Sequence, residues 1–361
     1  MSLSLEQVSK VSGRDTHIYT TDLTLEGGSL NVLLGPTLSG KTSLMRMMAG
    51  LDVPVTGRIL WNGDDVTGKP VQKRNVAMVY QQFINYPSLS VYENIASPLK
   101  VRGLDKATIK KRVNEAADLL KLNDMLKRKP LELSGGQQQR CALARALVKD
   151  ADLVLLDEPL ANLDYKLREE LRQELPRIFT ESGAVFVYAT TEPTEALLLG
   201  GNTATLHEGR ITQFAPTLDV YRQPVDMRTA QVFSDPPMNY LSLSKQGQQM
   251  QFGENQNIPA MGALANLPDA TYTLGFRPNH TLLEKPDTEA MSFTGEVNVV
   301  EITGSESFIH LQHADSRWVC LTHGIHDIPP ETKLPLYVDP TKVYVFDADG
   351  QLVIAPNGGV N

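Results

Sequence analysis

Between residues 1 and 235, short apolar runs alternate with segments whose apolar positions recur every third or fourth residue. That alternation predicts an α/β domain with a largely parallel core sheet. Residues 30–34, Leu-Asn-Val-Leu-Leu, read as a strand, and residues 42–49 read as a helix stopped by Gly50. Residues 154–156 and 185–188 are apolar runs of a length suited to strands buried on both faces. Residues 92–130 read as a separate helical stretch, punctuated by Gly103 and Pro130. The texture changes near Ser234-Asp235-Pro236-Pro237. Beyond it, β-like runs at 271–276, 296–302, 308–311, 318–322, 334–338 and 342–346 alternate with Gly, Pro, Asn and Asp. A small β-barrel or sandwich is therefore expected over 236–361.

The 361 residues suffice for two domains, each with its own core. A net charge of −8 and only 6% aromatic residues argue against a nucleic-acid binder, which needs a basic stripe or a stacking platform. Residues 100–129 are locally basic, but Asp105, Glu115, Asp118 and Asp124 intersperse them, so they read as a solvated helical surface. Cys141 and Cys320 lie far apart and suggest buried or idle thiols, with no disulfide framework or zinc cluster. His310, His313, His323 and His326 lack a shared ligand spacing and are expected at the surface. The N-terminus does not read as a secretory signal, and no apolar run reaches the ~18 residues of a membrane span. The expectation is a soluble cytoplasmic chain whose membrane role, if it has one, comes through a partner.

Three segments carry chemistry. Gly35-Pro36-Thr37-Leu38-Ser39-Gly40-Lys41-Thr42 fits the phosphate-loop pattern G-x-x-x-x-G-K-[ST], between a predicted strand and a predicted helix. Backbone N–H groups there point at phosphates, with glycines at 35 and 40 allowing close approach. Lys41 supplies a point charge to the β- and γ-phosphates, and Thr42 offers a hydroxyl to Mg²⁺. Leu153-Val154-Leu155-Leu156-Asp157-Glu158 ends an apolar run in two carboxylates. Asp157 can hold Mg²⁺ directly or through water, and Glu158 can polarise an attacking water. In Leu133-Ser134-Gly135-Gly136-Gln137, Ser134 can cap a following helix whose first N–H groups stay bare, a second anion cradle on the same chain.

Leu133-Ser134-Gly135-Gly136-Gln137-Gln138-Gln139-Arg140 resembles the signature of the ATP-binding-cassette (ABC) ATPases. The resemblance implies a P-loop NTPase fold over 1–235, with a helical subdomain at about 90–145, and ATP and Mg²⁺ as ligands. It also implies a head-to-tail dimer, in which Ser134, Gly135, Gly136 and Gln137 close in trans over the partner's ATP. Gly35 through Ser43 would cradle the phosphates in cis. Gln81 resembles the loop glutamine that touches Mg²⁺ and senses the membrane partner, with Gln82 the less favoured neighbour. Residues 86–94, Tyr-Pro-Ser-Leu-Ser-Val-Tyr-Glu-Asn, are similar to the segment that follows that loop in sugar importers. Asp164, in Ala161-Asn162-Leu163-Asp164, resembles the loop that crosses the dimer interface. Residues 274–280, 300–306 and 345–347 look like the OB-like, TOBE-type C-terminal domain of carbohydrate-importer ATPases. Residues 35–43 and 80–86 look most like the ATPase subunits of bacterial glycerol importers.

Two positions depart from the family pattern. Thr191 stands where the family carries a histidine that hydrogen-bonds the γ-phosphate, and no histidine occurs between His17 and His207. Loss of one preorganised donor costs ~2.7–4 kcal/mol of transition-state stabilisation. Ser12 aligns with the aromatic residue that stacks on adenine, which leaves Tyr19, or less favourably His17, for that role. Intact Lys41, Thr42, Asp157 and Glu158 argue against a dead enzyme. The expected molecule is thus the ATP-hydrolysing subunit of a bacterial importer for a small polyol or sugar, glycerol first. It would sit at the cytoplasmic face of the inner membrane beneath two permease subunits served by an external binding protein. Pairing with a second, histidine-bearing ATPase chain is favoured over a homodimer. A soluble ABC ATPase uncoupled from transport, and a regulatory cassette with weak ATPase, are the rivals.

Overall fold

The computed structural model describes residues 1–161, 163–253, 256–356 and 359–360. It divides into two compact units, Met1–Thr217 and Leu218–Asn361. In chain order the first unit runs β1 (Ser2–Ser12), β2 (Asp15–Glu26), β3 (Leu30–Leu34), α1 (Lys41–Ala49), β4 (Thr56–Trp61), β5 (Asp64–Asp65), β6 (Val76–Val79), α2 (Val91–Val101), α3 (Lys106–Leu119), α4 (Gly135–Leu147), β7 (Leu153–Asp157), α5 (Tyr165–Ser182), β8 (Val185–Thr190), α6 (Pro193–Leu199), β9 (Asn202–His207) and β10 (Arg210–Pro216).

One sheet has the order β10-β9-β3-β8-β7-β6, parallel from β9 to β6. Every residue of β3, β7 and β8 is buried, which is why these strands are mostly apolar rather than alternating. A second, antiparallel sheet has the order β2-β1-β4-β5. Leu3, Leu5 and Val8 of β1, Leu44, Met45 and Met48 of α1, and Leu33, Leu155 and Val187 of the parallel sheet form one buried cluster. Helix starts follow local chemistry. Ser90 and Glu93 close a capping box on α2, Ser134 and Gln137 close another on α4, and Asp164 caps α5.

Two short helices, Thr217–Arg222 and Met227–Val232, lead into the second unit, whose remainder is built from two antiparallel sheets of the expected β character. Strands such as Met291–Ile302 and Glu306–His313 outrun the expected 296–302 and 308–311, because alternating polar residues continue the ladder on the outer face. Phe276, from one sheet, meets Trp318 and Phe293 of the other edge-on or stacked at 5.0 and 6.3 Å between ring centroids. His313 corrects the expectation of a surface position. It points inward, stacks on Trp318 at 4.2 Å, and its Nδ1 lies 2.8 Å from the Thr294 carbonyl oxygen. Both cysteines are buried, and burial pushes their thiols up, to about 11 for Cys141 and about 12 for Cys320.

The division also falls earlier than the composition shift at 234–237. Residues 218–235, expected with the first domain, belong to the β unit. The physical reason is Arg277, only 4% exposed. Its guanidinium donates to the Phe233 carbonyl at 2.8 Å, the Ser234 hydroxyl at 2.8 Å, the Tyr221 carbonyl at 3.0 Å and the Tyr344 hydroxyl at 3.2 Å. It also lies over the Tyr221 ring at 3.8 Å. Among the described residues no carboxylate pairs with it, so neutral oxygens and an aromatic face carry its charge. Truncation strands several buried acceptors at once. Arg277→Ala is expected to lower the stability of this unit by about 3 kcal/mol. In a Trp61→Phe background, where Trp318 is the sole tryptophan, that appears as a lower urea midpoint at unchanged slope.

Candidate functional site

The strand order dictates where the polar loops meet. Parallel strands end on one edge of the sheet, and the neighbours β3, β8, β7 and β6 lead into Gly35, Thr191, Glu158 and the Gln81 segment respectively. Four segments far apart in sequence therefore line up side by side.

The phosphate loop depends on two glycines. At Gly35 a Cβ would lie 2.4 Å from the Leu206 carbonyl oxygen, and at Gly40 it would lie 2.7 Å from Ile18 Cδ1. Gly40 also has φ +106°, a left-handed conformation that only glycine adopts without strain. The loop wraps Lys41, whose Nζ donates to the Gly35 and Pro36 carbonyls at 2.7 and 3.0 Å. Burial lowers the Lys41 ammonium below the ordinary lysine value, while the charges of Glu158 and Asp157 pull it back up. Ser39 is buried, and its hydroxyl has no partner among the described residues.

The Thr42 hydroxyl donates to Asp157 Oδ2 at 2.7 Å, and Gln81 Nε2 donates to Glu158 Oε2 at 2.9 Å. Burial raises both carboxyls above their ordinary values. Lys41 opposes this in each case, helped by the Thr42 hydrogen bond at Asp157 and the Gln81 hydrogen bond at Glu158. Glu158 sits at φ 47°, and its N–H is held by the Ala189 carbonyl at 3.0 Å. These groups border an open cleft of about 580 Å³ whose walls include Tyr19, Thr37, Lys41, Thr42, Gln81 and Glu158. An exposed glycine loop, a buried ammonium resting on its own carbonyls and a hydroxyl–carboxylate oxygen pair form the donor set of a triphosphate with a divalent cation.

Other expected residues lie elsewhere. Ser12 ends β1 and does not line the cleft, whereas both Tyr19 and His17 do. The Tyr19 ring carries the Arg210 guanidinium on one face at 3.7 Å. Ser134, Gly135, Gly136 and Gln137 sit at the start of α4 and outside the cleft lining. Ser134 accepts from the Gln137 N–H at 3.4 Å, and Gln137 Oε1 accepts from the Ser134 N–H at 2.9 Å. Asp164 caps α5 and accepts from the Leu167 N–H at 3.0 Å. Asn162 lies outside the described residues. Thr191 is exposed just beyond β8.

Two links escaped the sequence reading. Gln139 is fully buried, and its Nε2 donates to the Pro159 carbonyl at 2.6 Å, tying α4 to the chain leaving Glu158. Its signal was available: Gln139 shares a helix face with Ala142, Leu143 and Ala146, all buried. Asn85 Nδ2 donates to the Gln138 carbonyl at 2.9 Å, tying the Gln81 loop to the same helix. Nothing local in the sequence announces that contact.

The family model for ABC transporters matches residues 19–161. The chain is 36% identical to the sn-glycerol-3-phosphate import ATP-binding protein of Vibrio cholerae, over 91% of this chain and 89% of that one. It is 33% identical to an osmoprotective-compound uptake ATP-binding protein of Synechocystis, over 98% and 99%. A xylose/arabinose import ATP-binding protein of Haloferax volcanii is 35% identical, over 96% and 94%. Among solved structures, a dimeric ATP-binding cassette bound to ADP and Pi matches with a TM-score of 0.56 and 27% identity, over 60% of this chain and 98% of that one. No helix among the described residues is long and apolar enough to cross a membrane. With the phosphate loop, the paired carboxylates and the capped signature helix in these positions, the chain belongs to the ABC transporter ATPases, cassettes that bind and hydrolyse ATP.

Proposed function

We propose that this chain is the ATPase subunit of an importer for a small polyol or sugar, with glycerol the first cargo to test. The observation that carries this reading is the reach of the similarity. It extends over 98% of this chain, β unit included, to an uptake ATP-binding protein, whereas the solved cassette covers 60%. The chain would then work at the cytoplasmic face of the inner membrane under two permease subunits, with an external binding protein delivering cargo. A groove of about 480 Å³ lined by Tyr86, Leu89, Val101, Arg102 and Arg145 supports a permease contact. Tyr86 and Val101 stay 50% and 89% exposed there, apolar surface suited to a partner's helix.

In hydrolysis, the N–H groups of residues 35–43 and the Lys41 ammonium hold the β- and γ-phosphates. Lys41 leaves its own carbonyls for the phosphate oxygens, a charged acceptor replacing neutral ones. Thr42, Asp157 and Gln81 would hold Mg²⁺, which when bound neutralises charge on the transferring phosphoryl group. Glu158 accepts a hydrogen bond from the attacking water and takes its proton as the water oxygen bonds to the γ-phosphorus; the bond from that phosphorus to the bridging oxygen breaks, and inorganic phosphate and ADP depart. Tyr19, which lines the cleft, stacks on adenine. Ser134, Gly135, Gly136 and Gln137 serve the partner's nucleotide, consistent with their position away from the cleft of their own chain. Asp164 lies at that interface.

Thr191 favours a second ATPase chain that brings the missing histidine. An exposed hydroxyl at this position is shorter than an imidazole and never cationic. Native membranes, gently solubilised and pulled down through a tag on this chain, test the reading directly. Permeases with a second, histidine-bearing cassette support it; permeases with this chain alone replace the heterodimer with a homodimer; intact complexes without permeases overturn the importer.

Lys41→Ala is expected to abolish Mg²⁺-dependent ATP turnover. Thr191→His in the purified chain is expected to raise kcat by roughly 10²-fold, measured by phosphate release; unchanged turnover in the assembled transporter would sink the weak-site idea. Asp157 supplies a stability prediction. Its carboxyl binds a proton more tightly folded than unfolded, so the folded chain loses stability as pH rises through that raised value. Asp157→Asn removes the buried charge and keeps an acceptor for Thr42. The melting temperature without nucleotide should rise by about 2–4 °C, the equivalent of ~1 kcal/mol in a unit of this size, while the Mg²⁺-dependent response to ATP disappears.

A further inference from the structure

The end of β8 is held by a buried ionic cluster that the hydrolytic machinery described above does not use. Glu195 of α6 is 4% exposed. Its Oε2 accepts from the Tyr188 hydroxyl at 3.1 Å and the Thr190 hydroxyl at 2.7 Å, and its Oε1 accepts from Arg172 of α5 at 3.1 Å. Arg172 also pairs with Glu169 at 2.6 Å and Glu192 at 3.2 Å. The Thr190 hydroxyl in turn accepts from the Glu192 N–H at 3.0 Å, which closes the turn carrying Thr191. A carboxylate this deep is costly unless fully paired, and here three side chains pair it.

The strand it holds carries two backbone bonds that matter for chemistry. The Ala189 carbonyl accepts from the Glu158 N–H at 3.0 Å, and the Thr190 carbonyl accepts from the Gly35 N–H at 3.3 Å. Glu158 needs such a brace. Its φ of 47° is left-handed for a non-glycine residue, a conformation that costs of order 1–3 kcal/mol and persists only where the surroundings impose it.

We infer that Glu195, through Thr190 and Tyr188, is a positioning residue for ATP hydrolysis, fixing the strand end from which both the first glycine of the phosphate loop and the backbone of Glu158 hang. This rests on the reading of Glu158 as the residue that orients water. Glu195 touches no substrate. It sets the angle at which the Glu158 side chain enters the cleft, and small misplacements of a reacting group are costly in rate.

Thr190 separates hydrogen bonding from packing. Thr190→Val keeps the shape and removes the hydroxyl; Thr190→Ser keeps the hydroxyl and removes a methyl. ATP hydrolysis by the full-length chain, resolved into kcat and KM, reads the difference. Thr190→Val should lose roughly tenfold in kcat with KM within about twofold, and Thr190→Ser should retain roughly half of kcat or more. The reverse order, with Val active and Ser impaired, means packing alone and overturns the inference. So does a Thr190→Val chain with unchanged kcat, or one whose KM rises at constant kcat. If Thr190→Val fails to fold, Tyr188→Phe removes the other hydroxyl donor and is read by the same split. Hydrolysis in the parent chain that Lys41→Ala leaves intact would instead overturn the assignment of the site itself, so the two failures are distinguishable.

Discussion

The parallel register of β3, β8 and β7 is the constraint on which the first unit depends. Leu34 pairs with Thr190, and Asp157 pairs with Ala189, so three buried strands end within a residue of one another. Strands buried on both faces admit a polar side chain only where it is hydrogen-bonded, as Asn31 is to the Phe186 carbonyl at 3.1 Å. Most of the chemistry-bearing positions therefore gather at or just beyond the strand ends, where Gly35, Asp157, Glu158 and Thr191 stand. Glycine at 35 and 40 is the steric counterpart of the same constraint, since the loop must pass against Leu206 and Ile18.

That arrangement concentrates charge where water is scarce. Asp157 and Glu158 both hold protons more tightly than ordinary carboxyls, and Lys41 holds its proton less tightly than an ordinary lysine. Each is a sign of charge kept at a cost while the neighbours only partly compensate. In the proposed hydrolysis, a phosphate would answer Lys41 and a divalent cation would answer Asp157. Binding and the stability of the empty cleft are thus linked through the same three side chains.

The phosphate loop, the paired carboxylates and the signature were legible because each is a contiguous run with its own local rule. The Ser134–Gln137 box is an example: three residues apart on one helix start, both partners are visible in the sequence. The inner strands of both units were legible from apolar runs, although their polar extensions were not. Arg277 and Asn85 were not legible as structural links, because their partners lie far away in sequence or are backbone atoms that carry no residue identity. The division between the units was misplaced for the same reason. A composition shift marks where β texture begins, whereas Arg277 determines which residues fold with it. His313 had the alternation of its strand in plain view, and the inward phase of that alternation was missed.

Helix α4 is bonded at two successive residues to different loops, through the Gln138 carbonyl to Asn85 and through the Gln139 side chain to Pro159. One tie is made to a main-chain oxygen of the helix and the other by a side chain projecting from it, so the rod is held at two separate points. Turning or sliding it by one residue, a rise of about 1.5 Å, would break both. The rod consequently has no independent screw motion: whatever displaces its capped first turn must carry the Asn85 loop and the chain beyond Glu158 with it, like a key that cannot turn without its lock.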